Sequence, residues 1–71
     1  MDTASPAALR SVLLAQTEEL IGRGEQNRTR LLMLIERQTT AGLPTAEADE
    51  LLSLVEERLT RLHAWRQLFL S

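Results

Sequence analysis

Ala41-Gly42-Leu43-Pro44-Thr45 separates two leucine-rich segments and decides the fold. Gly42 suits the left-handed conformation that closes a helix, and Leu43 suits the apolar contact that often follows. Pro44 cannot continue a helix, and the hydroxyl of Thr45 can cap the free amides of the next one. Because one helix ends and another begins within this short turn, we predict an all-α fold, an antiparallel helical hairpin.

The first leucine-rich segment predicts one long helix from about residue 6 to about residue 41. Ser5 can act as its N-cap, and Pro6 suits the first helical position because a free amide there would have no partner. We therefore expect residues 1–5 to form a disordered N-terminus and residues 6–71 to form a single helical-hairpin domain.

From Gly22 to Arg30, nine consecutive residues are non-apolar. Each of the two glycines costs about 1 kcal/mol inside a helix. Two interpretations compete: a three-helix bundle with a break at 22–26, or one continuous helix. We favour the continuous helix, because the apolar seam keeps its heptad phase on both sides of the stretch, as a break would not require. That seam consists of positions 13, 17, 20, 24, 27, 31, 34, 38 and 41.

The second leucine-rich segment predicts a helix from about residue 45 to about residue 69. Its apolar residues recur at spacings of three and four, with Arg66 at the one interrupted position, and such a stripe packs against a neighbouring helix. Glu47 and Asp49 lie in the first turn, where carboxylates complement the helix dipole. The stripe comprises Leu52, Val55, Leu59, Leu62 and Phe69, and it is flanked by Ala48, Leu51 and Trp65.

Folding the two helices back on the turn places residues opposite each other when their numbers add to about 86. Trp65 then lies level with the glycines of the first helix, which would leave room for its indole. The same register predicts that Glu25 pairs with Arg61 and that Arg30 pairs with Glu56.

The apolar stripes are wider than a seam between two helices can cover. A second column follows the first on each helix: Leu14, Ile21, Leu32 and Ile35 on one, and Leu51, Leu54 and Leu68 on the other. A contiguous apolar surface marks an association site, and a chain this short has a marginal core of its own. We predict a homodimer in which two hairpins form a four-helix bundle or coiled coil. The predicted interface residues are Leu13, Leu20, Leu31, Leu34, Ile35, Leu52, Val55, Leu59, Leu62, Trp65 and Phe69.

The polar residues show no constellation suited to catalysis, metal binding or cofactor binding. His63 and Glu56 lie about 10 Å apart along one helix, which is too far for a hydrogen-bonded dyad. With one histidine and no cysteine, the chain lacks the ligands of a zinc site. Gly22-Arg23-Gly24 resembles half of a phosphate-binding loop, but no strand precedes it and no lysine follows. We therefore predict neither an enzyme nor a cofactor.

Charge and hydropathy also bear on partners and location. The net charge is −2 and all eight basic residues are arginine, so nothing attracts the whole chain to nucleic acid or to an anionic membrane. Several arginines make the first helix locally basic, which leaves a Rop-like RNA-binding bundle as a minor alternative.

The longest apolar run, Leu31 to Ile35, is far shorter than the ~20 residues of a membrane span. Without cysteine or a basic signal region, we expect a cytoplasmic protein.

The run from Leu34 to Arg66 resembles a group of short bacterial helical-hairpin proteins. The shared positions are Leu34, Ile35, Glu36, Gly42, Thr45, Ala48, Leu51, Leu52, Leu59, His63 and Arg66. The pattern of that group is a helix, a Gly-x-x-Thr turn and a leucine-rich second helix that ends in a His/Arg segment. Because these positions belong to the turn and the core, the resemblance implies a shared hairpin and carries no activity over.

Two functional hypotheses follow from the excess of apolar surface. The leading one is a non-enzymatic interaction module that self-associates through its leucine stripes. The alternative is a small adaptor or chaperone whose groove holds a partner's amphipathic helix. The first predicts a folded homodimer, whereas the second predicts a chain that gains helicity when the partner binds.

Overall fold

The computed structural model describes residues 5–71 as two α-helices packed against each other. Helix α1 spans Pro6–Thr40, and helix α2 spans Ala46–Leu70. The prediction of an all-α helical hairpin is confirmed. Of the predicted disordered N-terminus, residues 1–4 lie outside the described residues, and residue 5 is the N-cap of α1.

Helix α1 begins as the sequence predicts and runs without a break. The Oγ of Ser5 accepts a hydrogen bond of 3.1 Å from the amide of Ala8, and Pro6 occupies the first helical position. The helix continues through both glycines of the 22–26 stretch, so the three-helix alternative is wrong. The heptad phase that favoured continuity reflects one face of α1 packing along α2.

The turn closes α1 with the hydrogen bonds of a Schellman motif. The amide of Leu43 donates to the carbonyl of Gln38 at 2.8 Å, and the amide of Gly42 donates to the carbonyl of Thr39 at 3.1 Å. Gly42 has a φ of 71°, which glycine adopts without the steric penalty of a Cβ. Leu43 stays 57% exposed, so the apolar contact expected of it contributes little burial.

The prediction that the hydroxyl of Thr45 caps α2 is wrong. Thr45 does stand at the N-cap position, but its side chain makes no capping hydrogen bond. Its Oγ1 instead donates to Oδ2 of Asp49 at 2.9 Å. The backbone of Thr45, with φ −114° and ψ 3°, lies outside the extended region that is typical of an N-cap residue, so its oxygen does not meet the free amides of α2.

The residues of α1 that face α2 agree with the predicted seam at positions 17, 24, 31 and 38 but differ from it at the positions between them. Apart from Leu20, every described buried or half-buried residue of α1 lies on the series 14, 17, 21, 24, 31, 35 and 38. Those of α2 lie on the series 48, 52, 55, 59, 62, 66 and 69. The α2 series alternates spacings of four and three, as in an antiparallel coiled coil. The α1 series follows the same spacing except at position 28, between 24 and 31, where Arg28 is exposed. The column Leu14, Ile21 and Ile35 therefore faces α2, and the predicted column of Leu13, Leu20 and Leu34 lies to one side.

The cross-helix charges agree with this rotation of α1. Either leucine column completes a heptad pattern with positions 17, 24, 31 and 38, so the apolar pattern alone does not choose between them. The observed rotation brings carboxylates of α1 beside basic residues of α2. Glu18 lies 3.6 Å from Arg66, and Glu25 lies 3.9 Å from His63.

Two predicted ion pairs have other partners in the structure, although the alignment of the two helices along their axes agrees with the prediction. Glu56 pairs with Arg28 at 3.2 Å rather than with Arg30, and Arg61 pairs within α2 with Glu57 at 3.8 Å rather than with Glu25. Each observed cross-helix pair is within two residues of the predicted register. The level of the two helices was thus predicted well, and their rotation was not.

The core of the hairpin is small. Ile21, Leu59 and Leu62 form its buried cluster, with Leu20 and Val55 packed against it. The buried hydroxyl of Thr17 is satisfied because it donates to the carbonyl of Leu13 at 2.8 Å. No helix of the described residues has the length and apolarity needed to cross a membrane.

Gly24 is the point of closest approach between the helices. A Cβ added there would lie 2.7 Å from Cδ2 of Leu59 and 3.2 Å from its Cγ. The prediction that the glycines make room for Trp65 is therefore wrong, because Leu59 fills that space and Trp65 remains 51% exposed.

The first turns of α1 extend beyond the end of α2. Helix α1 has 35 residues and α2 has 25, and Arg66 near the end of α2 is level with Glu18. Leu9 and Val12 consequently have no α2 residue opposite them, and both are 52% exposed.

Candidate interaction surface

One long side of the hairpin carries a groove bordered by three pairs of residues. Leu20 and Trp65 border the depression at one end, Asn27 and Arg58 border the middle one, and Leu34 and Leu51 border the other end. In each helix these residues recur every seven positions, so they lie on one face beside the seam. We call this surface, defined by Leu20, Asn27, Leu34, Leu51, Arg58 and Trp65, the groove face.

The three depressions adjoin one another. Val55 lines both the middle depression and the one beside Leu34, and Leu62 lines both the middle one and the one beside Trp65. Gly24 deepens the middle because it has no side chain. From the level of Leu20 to that of Leu34 the groove is roughly 21 Å long, since a helix rises about 1.5 Å per residue.

Both ends of the groove are apolar and open to solvent. Leu34 is 37% exposed, Leu51 is 52% exposed and Trp65 is 51% exposed. Leu54 and Leu68, on the outer side of α2, are exposed by 56% and 69% and widen the surface. Exposed apolar surface at both ends of one groove marks a site of association.

The charged residues of the groove are all basic. Arg23 and Arg58 line the middle depression, and Arg30 and Arg61 line its neighbours. No aspartate or glutamate lines any of the three. The groove thus offers apolar contact and positive charge together.

These four arginines differ in whether the hairpin already supplies a carboxylate. Arg23 pairs with Glu19 at 2.6 Å, and Arg61 pairs with Glu57 at 3.8 Å, both within one helix. Within residues 5–71, no carboxylate oxygen lies within 4.0 Å of the guanidinium of Arg30 or of Arg58. These two guanidinium groups are available to an external anion.

The opposite side of the hairpin carries the cross-helix carboxylates. Glu18 and Glu25 border a depression there together with His63 and Arg66. Every ion pair of this side has side chains that are roughly 40–60% exposed, and exposed pairs contribute about 0–1 kcal/mol each. Carboxylates and basic residues are thus paired across the helices on this side, whereas the groove side is apolar and basic.

The single histidine lies closer to a carboxylate than the sequence predicts. The carboxylates of its own helix lie too far away along the sequence, but Nε2 of His63 lies 3.9 Å from Oε1 of Glu25 on α1. Both side chains are more than half exposed, so the contact is not an enclosed dyad. No group of three residues among His, Cys, Asp and Glu within 5–71 has a geometry that could hold a metal ion.

The predicted interface residues divide into two sets. Those that lie between the two helices are Leu31, Ile35, Leu52, Val55, Leu59, Leu62 and Phe69. Those on the side of the groove are Leu13, Leu20, Leu34 and Trp65. The predicted set omits Asn27, Leu51 and Arg58. The sequence contained a signal for them, since each lies seven or fourteen residues from a predicted interface residue of the same helix.

No family model, no curated protein and no solved structure matches this chain. The resemblance to short bacterial hairpin proteins therefore stays a prediction.

Proposed function

We propose that this protein is a non-enzymatic protein–protein interaction module that acts through the groove face. The observation that carries the proposal is the exposure of Leu34, Leu51 and Trp65 along one groove of a two-helix scaffold. Covering each such side chain favours binding by roughly 1–2 kcal/mol, since full burial contributes about 1.5–3 kcal/mol and these are half buried already.

The small core also supports this proposal, because it limits the stability of the hairpin alone. Among the described residues only Ile21, Ala48, Leu59 and Leu62 are buried apolar residues. A hairpin with so little core gains stability from any molecule that binds its folded state. The homodimer expected from the sequence and a helix of another protein would each supply that gain.

A cytoplasmic location is part of this proposal, because a cysteine-free chain suits a reducing compartment. Rop-like RNA binding is less well supported. Phosphates would pair with the arginines of the groove, but they would leave its leucines in water, and Trp65 is the one aromatic residue there for base stacking.

Site-specific photo-crosslinking in the source cell tests the proposal. A benzophenone amino acid replaces Leu51 on the groove face or, as a control at a similar level, Ser53, which is exposed on another side of α2. We expect irradiation to join position 51, and not position 53, to a discrete protein identified by mass spectrometry. Circular dichroism confirms that both variants remain helical.

An absence of protein adducts at position 51, or equal adducts at both positions, would overturn the proposal. An adduct with a second copy and an adduct with another protein both support an interaction module.

A further inference from the structure

We propose that the groove face binds an acidic amphipathic helix of another protein rather than a second copy of this chain. The inference rests on the proposed function and names its partner. The apolar stripe of the partner helix would lie along the two apolar ends of the groove. Its carboxylates would pair with Arg30 and Arg58, which lack a carboxylate within the hairpin.

The distribution of charge is the first argument. The net charge of the chain is −2, yet the groove depressions are lined by Arg23, Arg30, Arg58 and Arg61 and by no carboxylate. The cross-helix carboxylates lie on the other side, where basic residues already pair with them. A partner that covers the groove must therefore bring negative charge if it is to neutralise what it buries.

The symmetry of a homodimer supplies the second argument. A two-fold dimer through the groove face presents the same surface from both copies, so each brings arginine and neither brings a carboxylate. If the turns lie at the same end, Arg58 opposes Asn27 of the other copy. If they lie at opposite ends, Arg58 opposes its own equivalent. Both arrangements bury a guanidinium without a counter-charge, which is unfavourable.

The spacing of the groove defines the partner helix further. Its two apolar ends are separated by about 14 residues of helix, roughly 21 Å, and Arg58 lies halfway between them. A complementary helix therefore has large apolar residues about two heptads apart on one face, with a carboxylate near the midpoint. RNA would satisfy the arginines but would leave Leu34, Leu51 and Trp65 uncovered.

Designed peptides test this inference with the full-length chain. The acidic probe is a helix of about 18 residues without tryptophan, with a leucine stripe, a central Glu and flanking Glu residues. The matched probe replaces every Glu by Gln and keeps the leucines. Binding is measured from the emission of Trp65, the single Trp of the chain, and from the anisotropy of a labelled peptide. Analytical ultracentrifugation gives the oligomeric state.

The variant Arg30→Gln/Arg58→Gln removes the two free guanidinium groups at little cost to helix stability, because Gln and Arg have similar helix propensities. Arg10→Gln is the matched control, since Arg10 is exposed and does not line the groove. We expect the double variant to bind the acidic peptide about tenfold more weakly. We expect the control to bind it as the wild type does, with added salt weakening both.

Three results would overturn the inference, and they have different consequences for the proposed function. If both peptides bind equally and the arginine changes have no effect, the groove binds helices but does not prefer acidic side chains. A stable homodimer that Leu51→Glu dissociates, with no peptide binding, would identify a second copy as the occupant. Binding of structured RNA with no peptide binding and no homodimer would overturn the proposed function as well.

Discussion

Gly22 and Gly24 allow the packing of α1 against α2 to be tested with a matched pair of substitutions. Both lie inside α1, two residues apart, but they face different surroundings. A Cβ added at Gly22 would meet nothing within 4 Å, whereas one added at Gly24 would lie 2.7 Å from Cδ2 of Leu59. The same change, glycine to alanine, therefore isolates the contact between the helices.

The expected free energies have opposite signs. Gly22→Ala should stabilise the fold by about 0.8–1 kcal/mol, which is the difference in helix propensity. Gly24→Ala has the same gain, but it must displace Leu59, which is only 7% exposed. Overpacking of this kind costs about 1–3 kcal/mol. Gly24→Ala should therefore destabilise the fold by about 0–2 kcal/mol after the propensity gain is subtracted.

Urea unfolding followed by circular dichroism at 222 nm measures both values, at one protein concentration because association would shift the midpoint. The midpoint temperatures should differ in the same order, by about 4–8 °C per kcal/mol for a chain of this size. In a chain that already carries Leu59→Ala, Gly24→Ala should instead increase the free energy of unfolding, because the clashing atoms of Leu59 are gone. If Gly24→Ala stabilises the wild-type chain as much as Gly22→Ala does, the close approach at Leu59 is refuted.

Three further changes probe the turn, the core and the first cap. Gly42→Ala should cost about 1–2 kcal/mol in urea unfolding, because alanine is strained at a φ of 71°; an unchanged or increased stability would contradict the Schellman geometry. Leu62→Ala should cost about 2–5 kcal/mol, whereas Leu68→Ala, at a residue 69% exposed, should stay within about 0.5 kcal/mol; equal costs would contradict the assigned seam. Ser5→Ala should cost about 0.5–2 kcal/mol, and amide hydrogen exchange in the first turn of α1 should rise, since the Ala8 amide loses its acceptor.

The ends of the helices were predictable because they depend on neighbouring residues. Ser5 with Pro6, and Gly42 with Pro44, restrict the backbone by their own chemistry, whatever the rest of the chain does. The prediction for Thr45 failed because its backbone is not extended, so its hydroxyl donates to Asp49 and accepts no hydrogen bond from a backbone amide of α2.

The groove face was only partly predictable. The sequence showed that the leucine columns exceed one seam, and the exposure of Leu34, Leu51 and Leu68 confirms this. It did not show which column faces outward, nor that Arg58 lies between the apolar ends of a groove. Those facts depend on how far α1 is rotated about its axis, which is a relation between two helices distant in sequence.

By itself, then, the sequence determined two helices, their antiparallel direction and their approximate level, because turn chemistry and heptad spacing act within each segment. Only the tertiary structure decided the rotation of α1, which sets Leu14 and Ile21 against α2 and turns Leu20 toward the groove. Either leucine column completes the heptad pattern, and the observed rotation is the one that brings Glu18 beside Arg66 and Glu25 beside His63. That choice separates the basic, apolar groove from the side on which carboxylates and basic residues pair across the helices.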